Sequence, residues 1–242
     1  MSSTKGEARF EDSAALGASA ETATSPWVVM KFGGTSVSTA ENWMTIADLV
    51  RARLDAGLRP VIVHSALRGV SNALETTLSQ AVSGNPRDGL AQIRAQHYEL
   101  AAALGLDGAA ILDERLHELE QLVAGVRLVK EVSVRVRVRV MALGELMSTL
   151  LGAAFLETQD LPVQWLDARD LLTSRSRPGR NPVTSYLSAT CDYSRDQSLV
   201  DKLAAHDGVI LTQGFIARNT SGETVLLGRG GSDTSAAYFA GR

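Results

Sequence analysis

Cysteine occurs once in this 242-residue chain, at Cys191, so no internal disulfide can form and no thiol spacing suits a metal. The four histidines, His64, His97, His117 and His206, are scattered and make no HExxH pair, so a zinc-hydrolase reading has no support. Aromatic residues make up only 5% of the chain and the formal net charge is −3, which argues against a general nucleic-acid surface with its basic stripes and stacking platforms. No stretch approaches the ~18 consecutive apolar residues that span a bilayer. Residues 1–25 are small, polar and Ala-rich, without the apolar centre of a signal peptide, and read as a flexible tail. What these absences leave is a soluble, cytoplasmic protein with small-molecule partners, no nucleic acid and no membrane. Cys191 is then a bystander in a reducing compartment.

What the chain does have is 45% hydrophobic residues, enough to bury a sizeable α/β core. From Trp27 onward, short apolar runs alternate with longer segments of helical period. "WVVMKF", "PVIVHS", "PVQWLD" and "GVILTQGF" have strand length and β-branched content. Between the first two, Trp43, Ile46, Ala47, Val50 and Leu54 mark one face of a helix over 40–56, which makes a βαβ unit and a parallel sheet. Residues 70–82 and 88–124 read as helices, the second segment broken at "LGLDG". "VSVRVRVRV", 132–140, is a conflict: strict alternation suggests a strand, while the strongly helical "MALGELMSTLLGAAFLE" follows without a turn residue. We read it as helix or irregular chain leading into that helix, its arginines forming a solvated or subunit-facing surface. "SRSRPGRNP", 174–182, reads as an exposed basic loop.

The first strand discharges into "KFGGTSVS". Two adjacent glycines allow positive φ and bring bare backbone N–H groups toward another molecule, Lys31 adds a mobile charge, and Thr35, Ser36 and Ser38 add hydroxyls. With an amphipathic helix following, the turn reads as an anion cradle closed by a helix N-terminus. The C-terminal "LLGRGGSDTSAAYFAG" repeats that logic, with Gly230, Gly231 and Ser232 opening a helix. The Walker pattern is absent, and "GRGGSD" places Asp where a dinucleotide fingerprint needs its third Gly.

"KFGGTSV", "SALRGVSN", "ALGELMST", "LDARDLL", "TQGF" and "LGRGGSDTSAA", in this order and spacing, resemble the N-terminal part of an aspartate kinase, within the amino-acid kinase superfamily. The resemblance covers residues 27–242. It implies a three-layer α/β/α fold with a mainly parallel sheet, incomplete at the C-terminus. Residues 26–242 are then the substrate-binding part of the kinase domain, without the nucleotide-base part. It also implies transfer of the ATP γ-phosphoryl to the β-carboxylate of L-aspartate, toward lysine, threonine and methionine. ATP with Mg²⁺ and aspartate are the expected small molecules, the full-length protein is expected to be a homo-oligomer, and the fragment itself is expected to be inactive.

Phosphoryl transfer requires positioning and charge neutralisation rather than covalent help. The resemblance assigns that work to Lys31 and Asp233, with Gly33, Gly34, Thr35, Ser36, Gly230, Gly231 and Ser232 on the phosphates. It places Glu145 on the substrate ammonium, Arg229 as a fork on the α-carboxylate, Ser65 and Ser71 near the substrate, and Phe215 packed against it. No resident metal site is implied. Taken alone, Glu145 reads equally as a solvated residue, Arg229 also fits a surface arginine, and Asp233 also fits a helix N-cap, a role compatible with the site. Asp167 and Arg169 read as a structural pair near the site. Two other functions fit the same residues: a superfamily kinase acting on a different acid, and a non-catalytic amino-acid-binding fragment.

Overall fold

The computed structural model describes residues 25–175, 179, 181–228 and 230–242. The tail expected over 1–25 therefore lies, up to residue 24, outside the described residues, as do Arg229 and part of the basic loop 174–182. The sheet holds β1 (Trp27–Phe32), β2 (Arg59–His64), β3 (Val163–Leu166) and β4 (Val209–Gln213), all parallel, in the order β1-β2-β4-β3. These are the strands expected from the apolar runs. A small antiparallel hairpin, β5 (Ile216–Arg218) with β6 (Thr224–Leu226), follows the sheet. β5 was not anticipated, being too short to show a period.

Between β1 and β2 runs α1 (Ala40–Asp55), burying Trp43, Ile46, Ala47 and Val50 as its spacing requires. The helical excursion after β2 comprises α2 (Val70–Ser83), α3 (Arg87–Ala103), α4 (Gly108–Val129) and α5 (Val134–Thr158). After β3 come the short helices α6 (Ala168–Leu171) and α7 (Pro182–Leu187), then α8 (Gln197–Ala204) before β4. α9 (Gly231–Gly241) closes the chain.

Two cores confirm the layers. Ile62, Val209 and Leu211 pack with α1 to α5 on one face, while Val61, Val63 and Ile210 pack with Leu199, Leu203, Tyr238 and Phe239 of α8 and α9 on the other. The crossover through α1 steps the sheet one way and the crossover through α8 steps it back, on opposite faces, so the winding reverses between β2 and β4. In an open parallel sheet that reversal opens a crevice beyond the carboxyl ends of the strands. Here β1, β2 and β4 end level, with Phe32 opposite His64 and His64 opposite Gln213.

The conflict at 132–140 resolves as helix. Ser133 caps α5 by accepting from Val136 N–H at 3.3 Å, and a cap upstream removes the need for a turn residue downstream. The arginines are solvated as expected, Arg135 and Arg139 exposed and Arg137 half-buried, and each also meets a carboxylate: Arg135 pairs with Glu223 at 2.5 Å, Arg137 with Glu75, and Arg139 with Glu118 at 3.0 Å. Successive arginines reach carboxylates on different neighbours, Glu223 just before β6, Glu75 on α2 and Glu118 on α4. α5 is long and apolar enough to cross a membrane by length and composition, but most of it is buried inside the protein.

Candidate active site

A cavity of about 880 Å³ opens at that crevice, lined by Lys31, Ser65, Ser71, Glu145, Phe215 and Asp233 among others. The sequence stretches holding these residues are far apart, and the ends of β1, β2 and β4 with helices α2, α5 and α9 bring them to one wall. Lys31, next to last in β1, reaches across to α9, where its Nζ sits 2.7 Å from Asp233 Oδ1. Ser65, just past β2, donates its hydroxyl to Ser232 Oγ at 2.8 Å. The cavity is thus bounded by two links between strand ends and the first turn of α9.

α9 begins at Gly230, whose φ of 68° is left-handed, and no side chain caps the helix. Asp233 is therefore not the N-cap. The first N–H groups of α9 are left without intrahelical partners at the cavity, which suits an anion. α2 starts in the same way, at Gly69 with φ 83° and no side-chain cap, and puts Ser71 into the cavity wall.

The "KFGG" turn departs from expectation. Neither Gly33 nor Gly34 has positive φ. Gly34 is needed for close approach instead: a Cβ there would lie 2.7 Å from Ala66 O and 3.2 Å from Arg68 N. Ser38 reinforces this contact by accepting from Arg68 N–H at 2.8 Å. Gly33, Gly34, Thr35 and Ser36 are not among the cavity-lining residues, although the Cβ position of Gly33 lies 3.6 Å from Lys31 Nζ. Thr39 caps α1 with its own hydroxyl, accepting from Asn42 N–H at 3.3 Å. The uncapped partner of α9 at the cavity is α2, not α1.

Glu145 is the least ordinary group in the wall. It is 2% exposed, and its Oε2 has no hydrogen-bond partner. Burial pushes its carboxyl up to about 8, against the opposing pull of the Ala66 backbone hydrogen bond and the Lys31 charge. A buried carboxylate oxygen with no donor is costly unless something else supplies one. The solvated reading of Glu145 fails.

Phe215 holds a positive φ of 67°, which a bulky residue seldom adopts. Its N–H donates to Ser235 Oγ at 2.9 Å, and its carbonyl accepts from Leu227 N–H at 2.8 Å. This fixes the aromatic ring on the cavity wall. Asp167 and Arg169 form the expected pair, with Arg169 Nη2 2.5 Å from Asp167 Oδ2, but neither lines the cavity. Burial raises the Cys191 thiol to about 11. Among the described residues no group of three or more His, Cys, Asp or Glu is placed to hold a metal.

Sequence reasoning missed Arg137, Met141 and Glu75, which also line the cavity. Arg137, Met141 and Glu145 stand at i, i+4 and i+8 on α5, and Ser71 and Glu75 at i and i+4 on α2. The signal was a helical stripe, hidden because 132–140 looked like a strand.

The lysine-sensitive aspartokinase 3 of Escherichia coli K12 is 33% identical over 218 residues, which is 88% of this chain and 46% of that protein. An aspartokinase of Chlamydia trachomatis is 33% identical over 215 residues, 88% of this chain and 45% of that protein. The chain therefore spans about half the length of these relatives. The crystal structure of E. coli aspartokinase III in complex with aspartate and ADP superposes with a TM-score of 0.70 at 29% identity, covering 88% of this chain and 46% of that one. The model of the amino acid kinase family matches residues 26–242, and with that match the chain belongs to the amino acid kinase family.

Proposed function

We propose that this chain forms the substrate side of an aspartate kinase, in which the ATP γ-phosphoryl passes to the β-carboxylate of L-aspartate. The observation that carries the reading is the buried, unpartnered Oε2 of Glu145 in the cavity that also holds the Lys31–Asp233 pair. An ammonium is the donor that such an oxygen lacks. The related E. coli structure, with aspartate and ADP bound, supplies the substrate class.

Glu145 accepts from the aspartate ammonium and Arg229 forks the α-carboxylate. Ser65, Ser71 and Phe215 fix the side chain so that the β-carboxylate faces Lys31. Lys31 and the first N–H groups of α9, at Gly231 and Ser232 beyond Gly230, meet the charge on the transferred group. Gly33, Gly34, Thr35 and Ser36 complete the phosphate side. A bond forms between a β-carboxylate oxygen and the γ-phosphorus as the bond to the ADP oxygen breaks, with charge neutralisation as the protein's main contribution. Mg²⁺ entering with the nucleotide would neutralise phosphate charge, and Asp233, whose side chain is 73% exposed, would be the carboxylate to hold it. The reading includes a cytoplasmic, homo-oligomeric enzyme without nucleic-acid or membrane partners. The net charge of −3 supports the first exclusion and the burial of α5 the second.

Aspartate titrated into the 242-residue chain, with amide resonances as readout, should move signals of Ser65, Glu145 and Asp233. Succinate, which lacks the ammonium, should bind ~10-fold or more weakly, the cost of one charged hydrogen bond. Equal binding of succinate and aspartate would refute the assignment of Glu145.

A further inference from the structure

His64 ends β2 immediately before Ser65, is fully buried and does not line the cavity. Its Nδ1 lies 3.0 Å from Ser65 O, so Nδ1 carries the proton and donates to that carbonyl. Ser148 Oγ of α5 donates to the same carbonyl, also at 3.0 Å. The neighbouring backbone is held equally firmly: Ser65 N–H donates to Phe32 O at 3.2 Å, and Gly214 N–H to His64 O at 2.9 Å. From this anchored residue the Ser65 hydroxyl reaches Ser232 Oγ in the first turn of α9.

The other face of the imidazole shows what this arrangement costs. Nε2 has no hydrogen-bond partner; the ring meets Trp43 edge-on at 5.3 Å, and a Cβ on Gly152 would lie 2.9 Å from Nε2. An apolar side chain would avoid that buried, unsatisfied nitrogen. Burial lowers the imidazole to about 4, so the neutral, Nδ1-protonated form persists through the neutral range.

We propose that His64 is a positioning residue for substrate: by donating from Nδ1 to the Ser65 carbonyl it sets the angle at which Ser65 presents its hydroxyl to Ser232 and to the cavity. This rests on the reading of the cavity as the aspartate site, and the test separates the two.

Three variants of the 242-residue chain are titrated with aspartate by NMR, and the carbonyl ¹³C shift of Ser65 is recorded without ligand. His64→Leu removes the donor, His64→Asn restores an N–H at the Nδ1 position, and His64→Gln places its amide at the Nε2 position instead. His64→Leu should move the Ser65 carbonyl shift and weaken aspartate binding ~5-fold, the measure of one neutral hydrogen bond, without lowering the melting temperature. His64→Asn should return both shift and affinity toward wild type, and His64→Gln should not. An unmoved Ser65 carbonyl shift in His64→Leu would overturn the proposal, as would an affinity loss that follows melting temperature across all three variants. If the wild-type chain bound no aspartate, the ligand reading would fail, and the carbonyl shifts of Leu and Asn variants would still decide the positioning claim.

Discussion

Lys31 Nζ and Asp233 Oδ1 meet at 2.7 Å, joining the end of β1 to the first turn of α9 over a sequence separation that spans nearly the whole described chain. The pair is only partly shielded, with the two side chains 29% and 73% exposed. Such a pair contributes about 0–1 kcal/mol to stability, so its value lies in where it holds the ammonium. Lys31→Ala, made in a form extended to the length of the aspartokinase relatives, should lower kcat by ~10²–10³, the effect of losing one preorganised donor to the transferred group. Aspartate KM and melting temperature should change little. Retention of kcat within a few-fold would remove Lys31 from the phosphate side.

Glu145 gives a pH dependence whose sign follows from burial. Its folded value of about 8 lies above that of the unfolded carboxyl at 4.5, so between those values the folded state holds a proton that the unfolded state releases. Stability should therefore fall with rising pH across that window, by up to about 1.4 kcal/mol per pH unit, with other groups superimposed. An incoming ammonium favours the ionised form, so aspartate binding should tighten toward pH 8 and release a proton. In Glu145→Gln both slopes should flatten. The check is urea unfolding and aspartate titration at pH 6, 7 and 8; an unchanged pH profile in Glu145→Gln would contradict the assignment.

Arg229→Ala should weaken aspartate binding by roughly 1.5–3 kcal/mol, the worth of a charged hydrogen bond to the α-carboxylate. The isoasparagine control, in which that carboxylate is an amide, should be much less affected. Equal losses for both ligands would show that Arg229 does not read the α-carboxylate.

Gly34→Ala tests the packing role of the first glycine turn. The added Cβ would face Ala66 O and Arg68 N, backbone atoms that cannot swing aside as a side-chain tip would. The cost should be ~1–3 kcal/mol by urea unfolding, typical of overpacking at a tight contact. Wild-type stability in this variant would return Gly34 to a purely phosphate-binding role.

The strands were legible because a parallel sheet buried on both faces demands short apolar runs, and "PVIVHS" and "GVILTQGF" show them without interruption. The placement of Lys31, Ser65, Glu145, Phe215 and Asp233 around one cavity was legible through resemblance, since nothing in local sequence links positions that only sheet topology brings together. The structure had to supply three things. The Arg–Val alternation before Glu145 imitates a strand, and only the packing of α2 and α4 against α5 makes those arginines partners for Glu75 and Glu118. The use of Gly34 for close approach rather than positive φ depends on where the loop after β2 passes. The burial of His64 depends on Trp43 and α5, which its own neighbours in sequence do not reveal.

The most direct test of the central claim is product trapping in the extended form, supplied with ATP, Mg²⁺, hydroxylamine and either aspartate or glutamate. Aspartyl hydroxamate should accumulate with aspartate, little hydroxamate should form with glutamate, and Lys31→Ala should slow accumulation with aspartate by ~10²–10³. A mispositioned carboxylate in a polar site is rejected more strongly than an extra methylene in an apolar one, which is why the two acids should separate. Equal rates with glutamate, or aspartate-dependent turnover in Lys31→Ala within a few-fold of the unsubstituted protein, would contradict the account.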